Sequence, residues 1–130
     1  MTTAVEVLVD TSVWVDHFRR GNDRLADLLA RDAVLMHPFV LLELACGTPP
    51  APRLRTLGYL RRLRMAHQAS TPELLDFIER EALYDQGCGM VDVGLLAAAC
   101  ITPRARLWTQ DRRLAALATR LDVAWPGQNA

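Results

Sequence analysis

Four acidic residues occupy positions where a carboxylate is either costly or well placed for chemistry. Glu43 is the only charge between Ala33 and Pro52, and Phe39, Val40, Leu41, Leu42, Leu44 and Ala45 around it read as a mostly covered helix. Asp92 is equally isolated among Met90, Val91, Val93, Leu95 and Leu96. An ionised carboxylate in such a setting costs on the order of several kcal/mol unless it is paired or coordinated. A salt bridge to an interior arginine, or a solvent-facing helix edge, would also accommodate either residue. Asp10 closes the apolar run VEVLV, and Asp111 follows RLWT after Gln110. Both sit at the carboxyl ends of expected strands, where parallel α/β sheets collect their ligand sites. Either could equally cap the helix that follows it.

Brought together, four carboxylates repel one another unless a cation sits among them. Oxygen donors without Cys or His select a hard ion, so the expected cofactor is Mg²⁺ or Mn²⁺. Such an ion acidifies bound water and neutralises charge on a phosphoryl oxygen, which is the chemistry of phosphodiester hydrolysis. The hydroxyls of Thr11, Ser12 and Thr109 neighbour these acids and fit the same site, with capping and turn formation as their simpler roles. His17, His37 and His67 share no ligand spacing and read as surface or half-buried residues.

The elements needed to position these acids alternate between strand and helix. VEVLV is a buried strand, and a helix follows Asp10 at once. Asn22 caps a second helix with Leu25, Leu28 and Leu29 on one face, ahead of a short strand at Ala33 to Met36. Pro38 starts a helix that Gly47 and TPPAP end. Leu54, Leu57, Leu60 (or Tyr59) and Leu63 make an apolar stripe at helical spacing, with arginines between. Thr71-Pro72-Glu73 supplies a cap, a first-turn proline and an early acid for a helix through Leu74, Leu75, Ile78 and Leu83. VDVGLLAAACI is a helix buried on most sides, RLWT a strand, DRRLAALATRL a helix, and VAW a last short strand. Alternation of this kind implies α/β architecture around a parallel sheet.

With 130 residues, 51% of them hydrophobic, the chain is sized for a single domain over residues 1–130 with one core. Cys46, Cys88 and Cys100 are odd in number and widely spaced, which suggests neither a disulfide framework nor a zinc site and fits a reducing cytoplasm. The longest uncharged run, Val93 to Pro103, falls well short of the roughly 18 apolar residues that span a bilayer. The opening MTTAVEVLVD lacks a basic start and does not read as a signal peptide.

Net charge is zero, with 15 basic and 15 acidic side chains. Its distribution is uneven: every basic residue is Arg, and Leu44 to Pro72 contains no acid but holds Arg53, Arg55, Arg61, Arg62 and Arg64. Arginine forks suit phosphates, so this stretch is either a polyanion contact through residues such as Arg61 and Arg62 or a solvated helix face. The absence of lysine argues against an aspartyl-phosphate phosphatase or a phospho-receiver domain.

Taken in order, VLVDTSVWVDHFR, FVLLELACGT, GCGMVDVGLLAAA and LWTQDRRLAALA resemble the PIN-domain ribonucleases, specifically the VapC-type toxins of bacterial toxin–antitoxin pairs, over almost the whole chain. The resemblance implies a Rossmann-like three-layer α/β/α sandwich with a central parallel sheet, dependence on Mg²⁺ or Mn²⁺, and endonucleolytic cleavage of RNA. Position by position it assigns the acidic quartet to Asp10, Glu43, Asp92 and Asp111, with Ser12 and Thr109 as supporting polar residues. It also implies a homodimer and a cognate antitoxin whose C-terminal segment fills the groove. Where many relatives carry a further acid and an aromatic, this chain has Arg112, Arg113 and Leu114. No fifth acid follows from the resemblance, and Arg112 stands free to touch RNA phosphate or to cover the helix end. A catalytically inactive module that binds RNA or protein is the competing reading.

Overall fold

The computed structural model describes residues 4–129. Met1 to Thr3, which begin the segment read above as no signal peptide, and Ala130 lie outside the described residues. Apolar strand residues and amphipathic helices alternate as β1 (Glu6–Val9), α1 (Thr11–Arg20), α2 (Asp23–Ala30), β2 (Val34–Met36), α3 (Pro38–Cys46), α4 (Arg53–Arg61), β3 (Arg64–Met65), α5 (Thr71–Arg80), α6 (Met90–Ile101), β4 (Ala105–Trp108) and α7 (Arg112–Arg120). A 3-10 turn over Pro126–Asn129 follows.

The strands pair in the order β3-β2-β1-β4, all parallel. With the helices around this sheet, the fold is the α/β sandwich that the resemblance implied. The chain moves outward from β1 through β2 to β3, then returns past β1 to add β4. Direction therefore reverses between β1 and β4, and the crevice at their carboxyl ends is the switch point where such sheets bind ligands. Val7, Leu8 and Val9 of β1 and Leu107 and Trp108 of β4 are buried, as central parallel strands must be when helices cover the sheet. The longest helix, α6, is buried over seven consecutive residues from Val93 to Ala99, matching its apolar sequence. No helix among the described residues is long and apolar enough to cross a membrane.

Several local expectations need correction. Strand β3 was not expected from the sequence; Arg64 and Met65 are both exposed, and pairing with β2 alone defines the strand. VAW is not a full strand but a single parallel bridge between Ala124 and Leu107. Ser70, not Thr71, caps α5, in a capping box with Glu73. Leu83 lies beyond the end of α5, although it is buried in the core. The apolar stripe of α4 is broken: Leu60 is buried, whereas Leu54 is 82% exposed.

Candidate active site

The switch point brings the first acid and its hydroxyl partners together. Strands β1 and β4 run in register, Val9 opposite Trp108, and the ladder continues one step as the Asp10 N–H donates to the Trp108 carbonyl at 2.9 Å. Asp10 and Thr109 therefore leave the sheet side by side. The Thr109 hydroxyl donates to Asp10 Oδ2 at 2.7 Å and the Ser12 hydroxyl to the same oxygen at 2.9 Å. Backbone amides fix both hydroxyls in turn: Gln110 N–H donates to Ser12 Oγ at 3.0 Å, and Asp111 N–H to Thr109 Oγ1 at 3.0 Å. Asp10 precedes α1 in extended geometry, and its side chain makes no capping bond. Of the two roles open to it, capping is the one it does not perform.

Asp111 does cap α7, accepting at Oδ1 from the amides of Arg113 at 2.8 Å and Leu114 at 3.2 Å. That bonding engages one of its two oxygens. Glu43 corrects the sequence reading: it is exposed rather than covered, as is its neighbour Leu42. Its Oε1 accepts the Thr11 hydroxyl at 2.6 Å, which ties α3 to the start of α1. Thr11 therefore serves Glu43 instead of acting only as a turn residue.

Asp92 lies in the first turn of α6 and is half-buried. Its carboxyl is pushed above the ordinary aspartate value, first by burial and then by the negative charge of Asp10, with Asp111 and Glu43 adding to the shift and the amide of Gly89 opposing it. All three other acids of the quartet thus act on Asp92 through one electrostatic field. Among the described residues none of the four is ion-paired to an arginine, so the salt-bridge alternative does not apply to them. Nor, among the described residues, is any group of three or more His, Cys, Asp or Glu side chains placed so that it could hold a metal ion. The donor chemistry is nevertheless that of a hard cation: carboxylates and hydroxyls, with mutual repulsion that positive charge would relieve.

Two side chains here carry no signal in the sequence beyond ordinary spacing. Asp16 on α1 is held below its usual value by Arg20, then by Asn22 and Gln110, so it links α1 to the β4–α7 turn beside Asp10. The Arg20 partner is visible as an i,i+4 pair; the Gln110 contact is tertiary. His37 is buried more deeply than its reading as a surface or half-buried residue, and it accepts the Phe39 amide at 3.0 Å as the cap of α3. Burial lowers its pKa, consistent with a neutral structural residue.

A cavity of about 320 Å³ begins at Glu43 and runs between Phe18 and Arg19 of α1 and the loop at Pro49 and Pro50. A second, of about 610 Å³, opens beyond Thr109 and is lined by Asn22, Trp108 and Arg112. Arg61, Arg62 and Arg112 are all exposed. Arg113, also exposed, lies over Gly87, whose φ of 76° favours glycine and where a side chain would have to displace the guanidinium.

Against known proteins, residues 7–120 match the PIN domain family. The chain is 39% identical over 118 residues to Ribonuclease VapC32 of Mycobacterium tuberculosis strain CDC 1551 / Oshkosh, covering 91% of this chain and 94% of that protein. The same figures hold for Ribonuclease VapC32 of strain ATCC 25618 / H37Rv.

Proposed function

The chain belongs to the PIN-domain family, and from that premise we propose that it is the ribonuclease toxin of a VapC-type toxin–antitoxin pair, a hydrolase that cuts RNA phosphodiester bonds endonucleolytically. The observation that carries the metal-dependent form of this reading is Asp92: a half-buried carboxyl raised by burial and by three other acids, none of them neutralised by an arginine. Asp10, Glu43, Asp92 and Asp111 would hold Mg²⁺ or Mn²⁺. Bound there, the ion supplies charge neutralisation at the phosphoryl group and a water of lowered pKa.

The chain's own residues do the rest. Ser12 and Thr109 orient Asp10 by donating to one oxygen, which leaves the other available as a donor atom. Thr11 does the same for Glu43. Four carboxylates alone would repel a phosphodiester, so RNA must be drawn in by cations elsewhere on the surface, for which Arg61, Arg62 and Arg112 are suited. RNA incubated with Mg²⁺ or Mn²⁺ should be shortened, and EDTA, Asp10→Asn or Asp92→Asn should stop it. Full cleavage by either substituted protein removes the acid-site mechanism; binding without any shortening turns the chain into a binding module.

The partner reading rests on the family: a cognate antitoxin covers the site, the toxin forms a homodimer, residues 1–130 act as one unit, and the pair works in the cytoplasm. A small adjacent reading frame encoding a DNA-binding protein supports the antitoxin, and growth arrest on expression of this chain alone supports toxicity. Sedimentation of the purified chain as a monomer removes the homodimer.

A further inference from the structure

Helix α4 presents a face that neither the core nor the acid site uses. Leu60 is its buried residue, and at roughly 100° per residue the opposite side carries Arg55, Tyr59 and the C-cap Arg62, spaced i, i+4 and i+7. Tyr59 is 61% exposed. A Cβ at Gly58, between them, would meet nothing within 4 Å, so the face is open. Among the described residues no acid pairs with Arg55 or Arg62, and the surrounding chain from Leu44 to Pro72 contains none.

This face is joined to the acid site. Arg53 Nη2 donates to the Ala45 carbonyl at 2.6 Å and Thr56 Oγ1 to the Pro50 carbonyl at 2.7 Å. The first fixes the start of α4 against the end of α3, the helix that carries Glu43, and the second fixes it against the loop that follows α3. The cavity that starts at Glu43, with Arg19 on its far wall, ends at Pro50, in the loop that Thr56 of α4 holds.

We propose that the Arg55–Tyr59–Arg62 face is a track for single-stranded RNA, with Tyr59 stacking on a base, the two arginines taking flanking phosphates, and the adjoining cavity leading the strand to the carboxylates. The proposal rests on RNA being the substrate. An aromatic ring between cations is the recurring solution for single strands, because every base has a stacking face while the backbone supplies the charge. Duplex RNA offers no splayed base to Tyr59. A second copy fits less well: a two-fold contact through this face would set each arginine pair near its own counterpart.

The test measures binding by fluorescence anisotropy in EDTA, with an end-labelled single-stranded oligouridylate as the probe. Tyr59→Ala weakens binding about five- to hundred-fold, whereas Tyr59→Phe, which keeps the ring, binds like the unsubstituted protein. The double variant Arg55→Gln/Arg62→Gln lowers the slope of log K against log salt by about 1.4, two phosphate contacts' worth for a single strand. All three side chains at issue in these variants are exposed, so melting temperatures stay within about 2 °C of the parent's. Cleavage of the same oligomer with Mn²⁺ is run alongside. If the parent cleaves and the Tyr59→Ala and double-arginine variants bind as it does, the track is wrong and the nuclease reading stands. If the parent neither binds nor cleaves, both fall. Weakened binding in the variants without cleavage by the parent keeps the track and removes the catalytic reading. Unchanged RNA binding with an altered sedimentation coefficient gives the face to a second copy and overturns the proposal.

Discussion

Gly94 sets how closely two acid-bearing helices approach. A Cβ at this position on α6 would lie 2.9 Å from Phe39 Cε2 and 3.0 Å from Cδ2, on α3. Carbon atoms settle at about 3.5–4.0 Å, so Gly94→Ala demands a retreat of roughly 0.6 Å or a turn of the ring. A turn of the ring would disturb its packing on His37, with centroids 4.9 Å apart, and His37 is held as the cap of α3. Alanine in place of glycine favours the helix by about 1 kcal/mol, while overpacking costs about 1–3 kcal/mol. A net loss of about 1 kcal/mol is expected, seen as a melting temperature lower by about 3–5 °C. The effect on activity should be larger than the effect on folding. Gly94 lies just after Asp92 on α6, and Phe39 precedes Glu43 on α3, so half an ångström between the helices is transmitted to both carboxylates. Misplacement by about 1 Å can cost around a hundredfold in rate, and about tenfold is expected here. RNA cleavage under saturating Mn²⁺, thermal melts and a double-mutant cycle with Phe39→Leu measure it; the smaller side chain should restore part of both losses. A Gly94→Ala protein that melts higher and cleaves at full rate refutes the reasoning.

Asp92 also gives a pH dependence. Its folded value lies above the 3.8 of an ordinary aspartate, so the stability it contributes is fully present below that value and is lost as pH rises through the folded one. Asp92→Asn should therefore melt higher than the parent at neutral pH in EDTA, with the difference shrinking toward acid; a constant difference counts against the shift. Thr109→Val removes a buried donor to Asp10 and the acceptor of the Asp111 amide, for a loss of about 1.5–3 kcal/mol in urea unfolding. Thr109→Ser should keep most of it, and equal losses from the two substitutions would deny the hydroxyl its role. Ser70→Ala breaks the capping box of α5 and costs about 1 kcal/mol in the same measurement, with RNA cleavage unaffected.

Much of this architecture was readable because its signals are local. Asn22, Pro38 and Gly47 mark helix ends through backbone chemistry that does not depend on distant residues, and each falls where expected. The buried stretch of α6 is equally plain from its composition. Failures occurred where tertiary contacts decide. Nothing in Arg64-Met65 distinguishes a strand until β2 lies beside it, and VAW reaches the sheet through Ala124 alone. Ser70 and Thr71 are adjacent hydroxyl residues before a proline, so the cap could be located only to within one position. For the site, isolation of Asp92 in an apolar helix correctly signalled a half-buried acid, whereas the same signal misled at Glu43. An apolar sequence shows that a helix is suited to burial, not which side the rest of the chain covers. That Thr11 binds Glu43 and Gln110 reaches Asp16 required the fold itself.

The sheet's two borders carry a last consequence. On one side β3 spans only Arg64–Met65, and the Arg64 guanidinium pairs with Glu6 at 2.6 Å. On the other, Leu107 exchanges hydrogen bonds with the segment around Ala124, receiving at its carbonyl the Trp125 amide at 2.9 Å. A foreign strand thus finds either a docking length of two residues, one of them an ion-paired arginine, or a rim already engaged at Leu107. Both margins thus carry features that discourage edge-to-edge pairing, the common hazard of exposed β-structure.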